Sequence, residues 1–488
     1  MKTETRNILT YAVAALLTGV GVHLAQEFRF YNIAVNDLFL YDWADMAAVL
    51  AETGGLAALA ASFLTQFMNI PFVGTVIVTG LYIFSAWLLG KILFKLNGRV
   101  VSYGLAFLPT VFLFLCMEND YYRFQGHAAF MMVVAALYAY VSIPEGKAML
   151  RYAAGAVFVP LLYHLAGSVS LVFAVSAFLW EIARNGVKGI YALAYPVELL
   201  LTAFIYVKLS LAAGWEYALT PFMYYDWPST YFFPIYAWVS LTALIILSWL
   251  ISFRKNASGR DAYRAAAAFI ASICIAGYFY DVVHSRSYYR LIQEQHWAMK
   301  GDWDRIIETA DRRQPDYLIS YLNLALANKG QLVERLGHYN PQPVSTVMYP
   351  TPNLKTGLTL QSTVYMSWNY HSAARQAAFD ANMVTSGMRN PHQLKVLVLT
   401  NLALGAPDVA EKYIGILEKT LFYRGWAKDM RGRMAVLPAP VLPMTDGYVR
   451  HNGLKGDMLN LLEADPSNRI LSQFYESYLL LETLEERR

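Results

Sequence analysis

Ten consecutive residues, Glu118-Asn119-Asp120-Tyr121-Tyr122-Arg123-Phe124-Gln125-Gly126-His127, place two carboxylates, two phenols, a guanidinium and an imidazole in one short stretch. Carboxylates can act as general bases or hold a divalent cation. A guanidinium offers a planar fork of donors that suits a phosphate or pyrophosphate. Glu118, Asp120, Tyr122, Arg123 and His127 are therefore candidate substrate-binding residues. The alternative is self-contained: Arg123 pairs with Glu118 or Asp120, and the tyrosines line a membrane headgroup belt. More acids lie upstream, at Glu27, Asp37, Asp42, Asp45 and Glu52, and downstream, at Glu216 and Asp226. Each of these, read singly, is a solvated loop carboxylate; read together they suit a cation or a base.

Further candidates sit inside or beside apolar stretches. His164 and Ser168 belong to the turn-like His164-Leu165-Ala166-Gly167-Ser168, where polar backbone at membrane depth needs surrounding protein or a wet cavity. His164 is a candidate pocket residue, or else simply bonds a loop carbonyl. The stretch from Trp215 to Phe233 is dense in aromatics, among them Trp215, Tyr224, Tyr225 and Trp227. Aromatic faces stack on sugar rings and also anchor at bilayer interfaces, and Trp227 is the candidate ligand contact. Glu198 lies mid-segment, where an ionisable group is costly, and supports a transporter only thinly.

These residues are carried by an unusual chain. A hydrophobic fraction of 57% with only 15% charged residues is outside the range of ordinary soluble domains. Residues 1–281 hold 16 Lys/Arg and 15 Asp/Glu, against 23 and 20 in residues 282–488, so the second part is about twice as charged. The net charge of +4 is spread over both parts and no basic block points to nucleic acid. Two cysteines, Cys116 and Cys274, both in apolar segments, exclude a disulfide framework.

A helix needs about 20 apolar residues to cross a bilayer. The segments 8–24, 71–94, 100–117, 127–143, 152–180, 190–211, 233–252 and 265–281 qualify. The stretch 152–180 is broken by Pro160 and the polar turn, and basic residues flank both its ends, so it crosses twice as two short helices. That gives about nine spans. Lys2/Arg6, Lys91/Lys95/Arg99, Lys147/Arg151, Arg184/Lys188 and Arg254/Lys255/Arg260/Arg264 then lie inside, while only Arg29 and Arg123 remain outside. Thirteen against two puts the amino terminus in the cytoplasm and the carboxyl-terminal part outside, which for a bacterial inner-membrane protein is the periplasm. The first segment reads as a retained anchor rather than a cleaved signal. Between spans one and two runs a long outer loop, 26–70, whose apolar second half is a helix at the interface or packed in the bundle.

The expected fold is thus all-α: a polytopic transmembrane bundle over 1–281, then a soluble extracytoplasmic helical domain over 282–488. In that domain Lys300-Gly301-Asp302-Trp303-Asp304, Lys329-Gly330-Gln331-Leu332 and Leu404-Gly405-Ala406-Pro407-Asp408 punctuate helices at hairpin spacing. Gly between helices and Pro at the exit resemble tetratricopeptide-like repeats, interrupted by Pro-rich insertions at 340–353 and 436–445. Such solenoids offer partner-binding surfaces, here to an envelope protein.

Over residues 1–281 the chain resembles the GT-C glycosyltransferases, with a long acidic first outer loop, short later loops, a central helix pair and an outer soluble domain. Those membrane enzymes move sugars from lipid-phosphate donors, using an acidic residue or pair of that first loop as base or metal ligand. The resemblance puts the catalytic role on Asp42 and Asp45 of Tyr41-Asp42-Trp43-Ala44-Asp45, with Asp37 a poorer match. It implies a divalent cation, magnesium or manganese, on Asp42 and Asp120, a lipid-linked sugar or lipid-phosphate donor, and Arg123 on the donor phosphate. The whole chain also resembles uncharacterised bacterial polytopic membrane proteins with a tetratricopeptide-like tail. Two other readings stay open: a non-catalytic scaffold recruiting envelope proteins, and a transporter. No Walker motif, dinucleotide fingerprint, zinc-ligand pair or serine elbow occurs in the sequence.

Overall fold

The computed structural model describes residues 3–227, 233–253, 261–339, 344–348, 354–436 and 453–487. Tyr231, Phe232, Lys2, Arg254, Lys255, Arg260 and most of both Pro-rich insertions lie outside the described residues. Regular structure among the described residues is helical, and the extended backbone pairs in one isolated antiparallel bridge, Tyr122 with Tyr225. The chain divides into two compact units, one of residues 1–33 and 42–284, the other of residues 34–41 and 285–488.

The first unit contains α1 (Thr3–Asn36, which runs on into the second), α2 (Trp43–Ala51), α3 (Gly55–Thr65), α4 (Val73–Asn97), α5 (Val101–Leu105), α6 (Leu108–Cys116) and α7 (Gln125–Ser142). It continues with α8 (Ala148–Ala166), α9 (Ser170–Asn185), α10 (Ala194–Lys208), α11 (Trp215–Leu219), α12 (Phe233–Ser252) and α13 (Asp261–Val283). Five helical stretches are long and apolar enough to cross a membrane: Val73–Asn97, Ala148–Ala166, Ser170–Lys208, Phe233–Ser252 and Asp261–Val283. Their outward faces carry large apolar side chains, such as Val157, Leu161, Leu201, Phe204 and Ile270, all exposed. In water such a surface would aggregate; against lipid it costs nothing, so these helices are membrane helices.

Helix α7 sits in the middle of this unit, with Ala128, Ala129, Val133, Val134 and Leu137 buried. Small residues let neighbouring backbones come close, as membrane packing without a hydrophobic drive demands. Gly104 shows how close: a Cβ there would overlap the Ala265 carbonyl oxygen where α5 meets α13. The polar turn expected at 164–168 does divide the long apolar stretch. Helix α8 ends at Gly167, whose φ of +89° stops the helix, and α9 starts at Ser170. The apolar second half of the first loop forms α3, with α2 preceding it, and α3 packs in the bundle, with the Gly54 N–H donating to the His164 carbonyl at 2.7 Å. Helix α1 runs ten residues beyond the loop start expected at residue 26, because nothing between Gln26 and Asn36 breaks a helix.

The second unit is a run of helices α14 (Arg286–Lys300), α15 (Trp303–Glu308), α16 (Asp316–Asn328), α17 (Leu332–Arg335), α18 (Leu354–Ser367) and α19 (His371–Met383). Then come α20 (Pro391–Ala403), α21 (Pro407–Glu418), α22 (Arg424–Val436), α23 (Gly453–Ala464) and α24 (Arg469–Glu486). Consecutive helices turn back where the sequence placed Gly, at Gly301, Gly330 and Gly405. Pro391 and Pro407 open α20 and α21 at the position where a missing N–H costs nothing. Ala378, Leu394, Leu397, Val398, Ala410, Ile414, Leu417 and Ala427 interlock as one apolar core across α19 to α22. Residues 34–41 belong here rather than to the bundle: the Tyr41 N–H donates to the Lys419 carbonyl at 2.7 Å, and the Asn390 amide donates to Asn36 Oδ1 at 3.2 Å. Leu38 of this strap packs on the same apolar core.

One buried acid of this unit should show in its stability. Glu294 on α14 is fully buried, paired to Arg290 at 3.1 Å, with Oε2 left without a partner. Burial outweighs the attraction of Arg290 and pushes its carboxyl up from 4.5 to about 8. The neutral form is the one folding favours, so its contribution is whole below pH 4.5 and drains away as pH rises to about 8. Glu294→Gln, neutral throughout, should melt above the parent chain at alkaline pH, the gap closing towards pH 4.5. Thermal unfolding of the full chain in detergent across that range checks this; a gap independent of pH would contradict it.

Candidate functional site

Three of the segments singled out by their chemistry, the loop 118–127, the aromatic loop and the turn 164–168, meet at one end of the first unit. The loop 118–127 pairs with the aromatic loop through backbone bonds: Arg123 N–H to the Tyr224 carbonyl at 2.8 Å, and Asp226 N–H to the Tyr121 carbonyl at 2.8 Å. The aromatic loop in turn seats on the break between α8 and α9. Ser168 Oγ donates to the Thr220 carbonyl at 2.7 Å, the Tyr224 hydroxyl to the Ala166 carbonyl at 2.7 Å, and the Tyr163 hydroxyl to the Ala218 carbonyl at 3.1 Å. Gln125 reaches the Gly54 carbonyl at 3.0 Å, tying in the start of α3. Buried backbone groups in four loops are thereby satisfied by one another.

Beneath this rim lies a charged cluster that no local sequence signal announces. Arg29, 2% exposed, donates from Nη2 to Glu118 at 3.0 Å and from Nη1 to Asp120 at 3.1 Å. The two carboxylates are themselves 3% and 5% exposed. Glu118 accepts a further bond from Gln26 at 2.6 Å and lies 2.9 Å from His284 Nδ1. His284 stacks on Tyr280, ring centroids 4.4 Å apart. Two carboxylates face one guanidinium, so the set carries a formal charge of −1 with His284 neutral and none with His284 protonated. The end of α1, the loop after α6 and the end of α13 are held together by this set.

Arg123, by contrast, is half-buried with Nε 3.8 Å from Asp226, so both arginines left outside by the charge pattern face acids. His127 is buried, 2.9 Å from the Tyr82 hydroxyl and stacked on Phe124. Tyr122 is buried against Gly126, where a Cβ would overlap its hydroxyl. His164 Nδ1 lies 3.1 Å from the Tyr206 hydroxyl. Trp227 stands exposed. Asp42 caps α2, accepting from the Ala44 N–H at 3.1 Å, with Asp45 in the first turn. Among the described residues no three His, Cys, Asp or Glu side chains are grouped to hold a metal ion.

A second buried pair joins α8 and α9. Arg151 grips Glu181 through Nε at 2.5 Å and Nη2 at 3.2 Å, and the Tyr140 hydroxyl adds a bond at 2.9 Å. In the sequence only the cationic partner stands out, as a flanking charge.

The second unit offers a different kind of site, an open groove of about 580 Å³. Its walls are the start of α19, the second half of α20 and the start of α21, including Arg375, Phe379, Asn401, Val409 and Tyr413. Phe379 and Val409 are exposed, at 47% and 43%. Asn401 is buried: its amide donates to the Leu397 carbonyl at 2.7 Å, which turns its oxygen to Arg375, 3.5 Å away. The strap of residues 34–41 meets the opposite end of the α20–α21 hairpin, at Asn390 and Lys419.

Fold and sites together define an all-helical membrane protein with a buried ionic clamp in its bundle and a grooved helical unit carried beside it in the chain. The chain belongs to the DUF6057 family, described as a family of unknown function, which it matches over residues 3–483. No curated protein and no solved structure matches it.

Removing one member of a buried ion set leaves the others uncompensated, at about 3–5 kcal/mol. Arg29→Met should therefore lower the thermal midpoint of the detergent-solubilised chain sharply. Adding Glu118→Gln and Asp120→Asn to that variant should recover much of the loss, since the stranded charges are gone. An unchanged midpoint for Arg29→Met alone would mean the cluster is not a clamp.

Proposed function

We propose that this chain is a membrane-anchored recognition protein, a bundle that displays a helical, tetratricopeptide-like unit outside the membrane to dock a partner in its groove. The observation that carries this reading is the groove itself. An indentation of about 580 Å³ with exposed Phe379 and Val409 beside Arg375 is within the size of ligand sites. The transferase alternative draws less support, since Asp42 is engaged as a helix cap and Arg123 and Arg29 face carboxylates.

Chain path supports the proposed topology of nine spans. The second unit receives the chain twice, as residues 34–41 and again from residue 285. It must do so on the same side of the bilayer each time, so the number of crossings in between is even. Counting α4, α5 with α6, α7, α8, α9, α10, α12 and α13 gives eight, and α1 makes nine. If α8 and α9 crossed as one helix the count would be odd. By the basic-residue pattern the shared side is the outer one, the periplasm of a bacterial inner membrane.

Single cysteines at Glu52 and Ser372, in a chain lacking Cys116 and Cys274, should both react with an impermeant maleimide from the outer side of intact cells. One at Gly146 should react only after permeabilisation; labelling of Ser372→Cys only after permeabilisation would overturn the topology. For recognition, a photo-crosslinking residue at Phe379 should yield a discrete adduct in cells that Tyr413→Ala abolishes, while one at exposed Lys428 yields none. The identified protein, purified, should bind the full chain and not its Phe379→Glu variant; equal binding to both would discard the groove as the docking site.

A further inference from the structure

The lining of the groove selects a chemical class of partner. Of the ten residues around it, Arg375 alone is charged, and the rest are amides, hydroxyls, phenols and apolar groups. Among the described residues Arg375 pairs with no carboxylate; its one side-chain contact is the Asn401 oxygen, 3.5 Å from Nη1. That contact is built rather than incidental. Asn401 is 2% exposed and its own amide is spent on the Leu397 carbonyl, which fixes the oxygen towards the guanidinium. An arginine held by a neutral acceptor keeps its whole charge and most of its donors for a ligand. Elsewhere in this unit Arg431 is paired with Glu411 and Glu418, Arg433 with Asp429 and Arg305 with Asp302, while exposed Arg312, Arg313 and Arg469 pair with no carboxylate among the described residues. What sets Arg375 apart is its place, with a fixed neutral acceptor behind it and apolar side chains beside it.

The rest of the lining sets what must accompany the anion. Phe379 lies one helical turn beyond Arg375 on α19, and Val409 and Tyr413 face it from α21. Residues four apart on a helix share a face, so the cationic and apolar parts are adjacent. The floor is Leu397, part of the apolar core of α19 to α22, which keeps both walls in register.

Resting on the recognition reading above, we infer that the occupant is a peptide segment bearing a carboxylate next to an apolar side chain. The carboxylate sits on Arg375, and the apolar side chain lies between Phe379, Val409 and Tyr413. A charge-assisted bidentate bond gives the specificity, and burial of the apolar group gives much of the affinity.

The test uses the full chain in lipid nanodiscs and fluorophore-labelled short peptide pools, read by anisotropy. One pool alternates Glu with Leu or Phe and ends in a free carboxylate. A second replaces Glu with Gln and ends in an amide, and a third carries Lys instead. The acidic pool should bind at least about tenfold more tightly than the Gln pool at low salt, and the Lys pool most weakly. Arg375→Gln should erase that advantage without abolishing binding of the Gln pool, and Phe379→Ser should weaken both. Lys428→Gln removes a positive charge elsewhere in the unit and should change neither. Equal binding of the acidic and Gln pools, or equal loss with Lys428→Gln, would overturn the anionic partner while leaving the groove as a docking site. Binding of no pool would overturn both.

Discussion

The guanidinium of Arg29 is the constraint on which one end of the bundle depends. Several apolar or semi-apolar elements converge there, and none has a hydrophobic reason to prefer one neighbour to another inside lipid. A buried arginine with two carboxylates supplies the preference. Glu118 and Asp120 come from the loop after α6, Arg29 and Gln26 from α1, and His284 from the end of α13. Each would be prohibitively placed alone; together they offset one another's charge in few arrangements. The register of α1 against α13 is fixed by charge where apolar packing would leave it free to slide.

That clamp also explains an oddity of the charge pattern. Exclusion of Lys and Arg from the loops that the charge pattern assigns to the outer side gives no reason for acids to gather there. The structure supplies one, because Arg29 and Arg123, the two basic residues the pattern leaves outside, each have acids set against them: Glu118 and Asp120 for the first, Asp226 for the second. Three of the acids, Glu118, Asp120 and Asp226, are counter-ions to those exceptions. Residues picked out for catalysis thus acquire a prior duty in holding loops, as does Asp42 in capping α2.

What can be read from the sequence divides along range. Apolar length marks the membrane helices, Gly167 marks the break between α8 and α9, and Gly301, Gly330 and Gly405 mark the hairpins of the second unit, whereas Pro160, expected to break the same stretch, sits inside α8, which runs on to Ala166. All are local signals, where residue type dictates backbone. The pairings of Arg29 with Glu118 and of Arg151 with Glu181 join residues far apart in the chain, and no periodicity announces them. Arg29 reads as a loop charge only if the first helix stops with its apolar run. In fact α1 continues to Asn36, the polar residues there being satisfied by partners instead of water. The strap of residues 34–41, Ala34-Val35-Asn36-Asp37-Leu38-Phe39-Leu40-Tyr41, is invisible for the same reason, since nothing in it names a docking place until Asn390 and Lys419 are set beside it.

A soluble domain fused only at the end of α13 would hang from one flexible point, and a groove on it would sample many orientations. Here Leu38 enters the apolar core of α19 to α22, and the backbone of Tyr41 bonds to Lys419, so the chain leaving α1 is built into the second unit before returning to the bundle. Two covalent connections, at residues 33–34 and 41–42, are thus added to the one at 284–285. Each added connection removes conformational freedom that binding would otherwise have to remove. On the recognition reading proposed above, a unit joined to the chain of the bundle at three points has less of that freedom to lose.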